Sequence, residues 1–130
     1  MRETKFRAWL KEEEKMVNVE TMDFTDKTIR CLKKNEFINA YLLRRVSFDD
    51  IELMQYTGLN DKNGKEIYEG DIVVLNNIEN DNMCIVRYEH SRYRLEGWSL
   101  REDLSNVEDR FLEVVGNIYE NKNLLEENNW

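Results

Sequence analysis

The chain has 130 residues, 41% apolar and 35% charged, and its 19 basic and 27 acidic side chains leave a net charge of −8 with His90 neutral. That length suits one domain, or one domain with a small appendage, and it supports an ordinary core without metals or disulfides. No apolar run approaches the ~20 residues of a membrane span, and none follows Met1-Arg2-Glu3-Thr4-Lys5, so neither a transmembrane segment nor a signal peptide is expected.

Residues 4–10 alternate, with Phe6, Ala8 and Leu10 on one side and Lys5, Arg7 and Trp9 on the other, which is strand period. The charged run 11–15 connects them to Met16–Glu20, where Val17 and Val19 resume the alternation, and a hairpin is the simple reading. Asp26-Lys27 is a turn between short strands near 21–24 and 28–32. Residues 35–46 read two ways. Phe37, Ala40, Tyr41 and Arg44 have helix spacing, while Phe37-Ile38 and Tyr41-Leu42-Leu43 also suit a strand. Ile51–Thr57 reads as a strand. Asn63-Gly64 then signals a turn needing positive φ, and Gly70-Asp71 a second turn feeding the apolar strand Ile72–Leu75. The Asn-rich stretch 76–82 is a loop. Strands follow at Met83–Tyr88, with Cys84 and Val86 on one face, and at Tyr93–Leu100, interrupted by Gly97. Residues 101–110 are charged and predict a short helix or loop. Phe111–Tyr119 gives a late strand with a bulge near Gly116-Asn117, and Asn121 is placed to cap a terminal helix holding Leu124 and Leu125. Short strands with turn signals at about 10-residue spacing suggest a small barrel.

The chain has no proline, so polyproline linkers are excluded; its 15 asparagines supply the turns instead. Cys31 and Cys84 make no C-x-x-C pair, and with a single histidine they cannot build a Cys/His zinc site. Two free, buried thiols in a reducing cytoplasm are expected. Charge is unevenly placed. Residues 1–57 carry 11 basic and 11 acidic side chains, whereas 58–130 carry 8 and 16, so the whole excess lies in the second part. Phosphate binding needs the opposite sign, which disfavours general nucleic-acid binding and leaves open only a local basic patch.

Few residues suggest chemistry. Asp61-Lys62-Asn63-Gly64 superficially matches the start of a calcium loop, but Glu66 and Glu69 are out of frame for its later ligands, so it reads as a hairpin turn. Glu66, Glu69 and Asp71 form an acidic cluster that a chain with 27 acids produces by chance, and solvated turn carboxylates are the simpler reading. Glu89, His90 and Ser91 are adjacent, and adjacent strand residues point to opposite faces, so they form no triad and His90 is an exposed loop residue. Tyr88, Tyr93 and Trp98 with Arg87, Arg92 and Arg94 are the one place where aromatic and basic residues interleave. Small barrels use such residues to bind peptides or single strands, although core and cross-strand packing is the simpler account of them. Tyr88, Arg92, Tyr93 and Arg94 are the residues expected on or beside a partner surface.

The run Thr57–Val73 (TGLNDKNGKEIYEGDIV) resembles the phage YopX-like family, small proteins of bacteriophages and prophages. Arg2-Glu3 with Lys5–Trp9 resembles the family's opening, Leu53–Tyr56 its lead-in, and Val115–Asn121 with Leu124-Leu125 its close. Leu10 stands where members often have Asp, Lys122 where Pro is frequent, and residues 21–47 match loosely. The resemblance implies a mostly β fold whose C-terminal part is similar to SH3-like barrels. It implies no established activity and brings no catalytic residues.

The expected protein is therefore mostly β. An N-terminal β-hairpin region (1–56) precedes an SH3-like small barrel with a short C-terminal helix (57–130). The expected role is that of a phage or prophage accessory protein of the bacterial cytoplasm. It is expected not to be an enzyme, to use no cofactor or metal, and to bind a host or phage protein or to self-associate. The alternative is a nucleic-acid-related protein, either a local binder through the basic-aromatic residues or an acidic mimic of nucleic acid. Metal-dependent catalysis by the acids at 66–71 is the weakest reading.

Overall fold

The computed structural model describes residues 3–76, 82–97 and 101–127. The Asn-rich stretch at 77–81 and the segment 98–100, with Trp98 and Leu100, lie outside the described residues. The chain divides into two compact units, Lys5–Met54 and Gln55–Trp130 together with Met1–Thr4. The fold is mostly β with one short C-terminal α-helix, as the sequence predicts.

In the N-terminal unit, β1 (Phe6–Leu10) pairs antiparallel with β2 (Lys15–Asn18), Leu10 opposite Lys15. The predicted alternation holds, with Ala8 and Leu10 buried. β3 (Thr21–Asp23), β4 (Thr28–Asn35) and β5 (Ala40–Ser47) form a three-stranded antiparallel sheet. The β3–β4 turn is built by Asp23, whose Oδ1 accepts the N–H groups of Thr25 (2.9 Å) and Asp26 (3.0 Å), and by Lys27 at φ 55°. The two-way stretch 35–46 is strand, turn and strand, with no helix. Asn35 Oδ1 accepts the N–H of Phe37 at 2.9 Å, and Asn39 takes φ 48°. Asparagine tolerates this left-handed backbone and bonds its own turn, so it replaces the missing proline and glycine. Ala8, Leu10, Ile29, Cys31, Val46 and Ile51 form this unit's core.

β6 (Ile51–Asn60) runs through the division, with residues 51–54 in the first unit and 55–60 in the second. Within the second unit it pairs antiparallel with β7 (Glu66–Tyr68), Tyr56 opposite Tyr68. The C-terminal unit's main sheet is five-stranded and antiparallel, in the order β11-β10-β9-β8-β12. These strands are β8 (Asp71–Leu75), β9 (Asn82–Glu89), β10 (Arg92–Gly97), β11 (Arg101–Asp103) and β12 (Leu112–Asn117). The sheet curls as a half-barrel. Ile67, Val73, Leu75, Cys84, Val86, Leu95, Leu104 and Leu112 are its core. Both cysteines are free and buried, one in each core.

Some boundaries differ from the sequence reading. Asn82 opens β9, paired with Leu75, and is not the end of a loop. Residues 101–110 hold β11 and two 3₁₀ turns, where a helix or loop was expected. The irregularity in β12 falls between Val114 and Gly116, one step before the expected bulge. Asn121 does precede α1 (Lys122–Glu127), but its Oδ1 accepts the Asn117 N–H (3.1 Å), so it ties the helix back to β12.

Gly64 sits at φ 81° in the β6–β7 turn, and a Cβ there would meet no atom within 4 Å. Gly64→Ala therefore carries a backbone penalty and no steric one. A loss of about 1–2 kcal/mol is expected, read as a lower urea midpoint. An unchanged midpoint would show that the turn relaxes freely.

Candidate functional site

The β9–β10 hairpin turns on His90 (φ 55°) and Ser91 (φ 65°). Positive φ at both central residues is the two-residue hairpin turn that matches strand twist, here made without glycine. The register sets Cys84 opposite Gly97, Val86 opposite Leu95 and Tyr88 opposite Tyr93. Alternation puts these three pairs on one face. Cys84, Val86 and Leu95 are buried in the core, and the two tyrosines continue that face to its open end. Their ring centroids are 5.0 Å apart at 60°, a tilted cross-strand pair of the stabilising kind. Tyr93 packs against the core, while Tyr88 is 53% exposed.

The arginines are placed differently from the tyrosines. Arg92 and Arg94 share the other parity of β10, and both address one carboxylate. Arg92 Nη1 is 3.2 Å from Asp103 Oδ2, and Arg94 Nε is 3.7 Å from Asp103 Oδ1. Arg87 lies 4.0 Å from Glu96. Of the predicted residues, Tyr88 and Tyr93 thus lie on the core face and Arg92 and Arg94 turn to Asp103 on the other, with Arg92 also reaching the cleft beside the tyrosines.

Beside the tyrosines is a cleft of about 780 Å³ within the C-terminal unit. Tyr88, Tyr93 and Arg92 line one side, Tyr56 to Leu59 another, and Leu104 with Ser105 a third. The β6 wall is shaped by an irregularity between Tyr56 and Asn60. There Thr57 Oγ1 donates to the Ile67 carbonyl (2.7 Å) and accepts the Leu59 N–H (3.2 Å), around Gly58 at φ 88°. The Tyr56 ring lies 5.6 Å from that of Tyr68, tilted at 41°, and its hydroxyl donates to Asn60 Oδ1 at 2.5 Å. The cleft therefore combines rigid amphipathic rings with exposed backbone. Sequence reasoning missed the β6 and Leu104 walls, because they lie far along the chain from the tyrosines and carry no local motif.

Two of the acids singled out in the sequence, Asp61 and Asp71, hold backbone turns. Asp61 is buried (4% exposed) and its carboxylate accepts three backbone N–H groups, from Asn63 (2.9 Å), Lys65 (2.9 Å) and Val114 (3.0 Å). Burial alone would push its pKa up, but these donors outweigh it and hold the carboxyl below the usual value. Asp71 is buried and accepts the Tyr68 N–H at 2.8 Å across the Gly70 turn, so the reading of solvated carboxylates fails there. Glu66 and Glu69 are half-buried. His90 is exposed at its turn. Among the described residues no three His, Cys, Asp or Glu side chains gather as a metal site, and no helix is long and apolar enough to cross a membrane.

A family model described as YopX protein matches residues 5–126. The crystal structure of protein EF1440 from Enterococcus faecalis is similar over 96% of this chain and 99% of its own, at 30% identity and a TM-score of 0.68. The crystal structure of protein yopX from Bacillus subtilis is similar over 95% and 98%, at 18% identity and a TM-score of 0.63, a likeness of fold alone. No curated protein matches.

Proposed function

The chain belongs to the YopX protein family, and from there we propose that it is a phage or prophage accessory protein of the bacterial cytoplasm that works by binding another protein, without catalysis. The observation that carries this reading is the Tyr88–Tyr93 pair at the open end of the core face, beside a cleft with a tyrosine-bearing β6 wall. A packed, tilted tyrosine pair offers large contact area with little rotamer entropy to lose, the composition of binding hot spots. Arg92 stands at the rim already paired with Asp103, so it suits orientation of a partner more than phosphate binding. The two buried free thiols fit a reducing compartment.

The acidic-mimic reading draws on one observation, the net charge of −8 over residues 58–130. It predicts capture of a basic DNA-binding host protein in a salt-sensitive way.

The test is affinity capture from an infected or lysogenic host, followed by binding measurements with the purified partner. Tyr88→Ala/Tyr93→Ala is expected to weaken binding by at least about 2 kcal/mol while Arg92→Ala/Arg94→Ala costs less. Wild-type binding by a folded Tyr88→Ala/Tyr93→Ala variant would remove the cleft from the interface.

A further inference from the structure

The ribbon of β4 and β5 is buried only where it joins its unit. Ile29 lies opposite Val46 in the core, and Cys31 is opposite Arg44. Beyond them both faces are open. Leu32 opposite Leu43, with Lys34 opposite Tyr41, form one face; Leu42 opposite Lys33 lies on the other; Phe37 and Ile38 occupy the connecting turn. All six apolar side chains are exposed, Phe37 completely (100%). Large apolar residues scattered singly on a surface need no explanation, but a contiguous set marks an interaction site.

The same segment is basic. Residues 28–47 hold Arg30, Lys33, Lys34, Arg44 and Arg45 against Glu36, a net of 5 − 1 = +4, so the rest of the chain carries −8 − 4 = −12. Among the described residues Lys33 and Lys34 have no ion-pair partner. Arg44 is paired with Glu13 near the base of the ribbon.

We propose that this 28–47 ribbon is an arm that docks on a second copy of the chain, seating its apolar 32–43 tip and its lysines on the acidic C-terminal unit of that copy. Charge selects this occupant. A nucleic acid or an anionic membrane would attract the arm but repel the remaining −12. Another copy supplies the complementary acidic surface, with 8 basic and 16 acidic residues over 55–130, at the same concentration as the arm itself. Arm-on-arm pairing would bring +4 against +4. Arg44 and Arg45 on β5, the edge strand of its sheet, are the kind of charge that edge strands carry against such pairing. The contact therefore joins two different patches, and such contacts build rings or chains of copies. The inference concerns the N-terminal unit's ribbon and does not rest on the Tyr88–Tyr93 cleft.

Sedimentation velocity of the whole purified chain, from micromolar to sub-millimolar concentration at low salt, tests it. The wild type is expected to move from the 15.8 kDa monomer to larger species as concentration rises. Phe37→Ser/Ile38→Ser, which leaves Asn35 to hold the turn, should stay monomeric. Lys33→Glu/Lys34→Glu, which takes the arm from +4 to 0, should associate at least about tenfold more weakly. Both variants should keep the wild-type circular dichroism spectrum and melting temperature. Three results would overturn the proposal: a wild type that is monomeric throughout, whether or not it sediments with phosphatidylglycerol vesicles or duplex DNA; association that both variants retain unchanged; or tighter association of the lysine variant (arm-on-arm pairing).

Discussion

Asp61→Ala should be among the most destabilising single changes in this protein, at about 3–5 kcal/mol. Asp61 fastens two distant parts of the C-terminal unit. Its Oδ1 holds the 61–65 turn through Asn63 and Lys65, and its Oδ2 accepts the N–H of Val114 on β12, 53 residues away. Neighbouring backbone bonds repeat the link, with Lys62 N–H donating to the Leu112 carbonyl at 2.9 Å. Alanine removes a buried carboxylate and leaves three N–H groups without that acceptor. Hydrogen bonds to charged groups are worth about 1.5–3 kcal/mol each and do not simply add. Against a typical total of about 5–15 kcal/mol, that loss is large. Urea unfolding should show the midpoint falling by about 2 M, given slopes of about 1–3 kcal/mol/M. A loss below about 1 kcal/mol would mean that water or another side chain takes over the three donors. The pH dependence has a definite sign. A carboxyl held below its unfolded value, here 3.8, contributes stability that is complete above that value and is lost as pH falls through the lowered one. Asp61→Asn should therefore be less stable than wild type near neutrality and should lack that part of the acid loss.

Leu95→Ala is the second large effect, expected at about 2–5 kcal/mol. Leu95 is completely buried (0% exposed), faces Val86 across the hairpin, and belongs to the cluster on which Tyr93 rests. Truncation opens a cavity beneath the Tyr88–Tyr93 pair, two residues along on the same face. Stability and partner binding should both fall. Leu59→Ala, at an exposed residue that lines the cleft, should reduce binding with under about 1 kcal/mol of stability change. Equal stability losses for the two variants would contradict the observed division between core and cleft wall.

The strands that bury one face were legible in the sequence. β1 alternates because a buried face imposes period two, and the turns at Asn63-Gly64 and Gly70 announce themselves through glycine at positive φ. The ribbon at 35–46 was not legible for the complementary reason. With both faces open beyond Cys31, nothing forces its apolar residues into alternation, and their spacing matched a helix as well as a strand. Asp71 was misread because a carboxylate beside a glycine turn resembles any solvated acid until the Tyr68 N–H is found against it. Tyr88 and Tyr93 were placed correctly at the hairpin end. The same two-residue period turns Arg92 and Arg94 toward Asp103 on the other side of β10, so of the two only Arg92 also lines the cleft beside the tyrosines. The opposite wall of the cleft, Tyr56 to Leu59, pairs locally with β7, and it meets the tyrosine hairpin only through tertiary packing that no local window contains.

The distribution of the two cysteines gives the molecule a pair of internal reporters. Cys31 sits in one core and Cys84 in the other. Burial raises both thiols, Cys84 to about 11, while the Arg44 guanidinium partly offsets the effect at Cys31. The thiolate is the reacting form, so each sulfur is shielded from a thiol reagent until its own surroundings open. The rate at which each is modified in the native protein then measures the opening free energy of its unit. Matching rates would identify one cooperative folding body. Rates that differ would assign each unit its own stability, in the unaltered chain and without an added label.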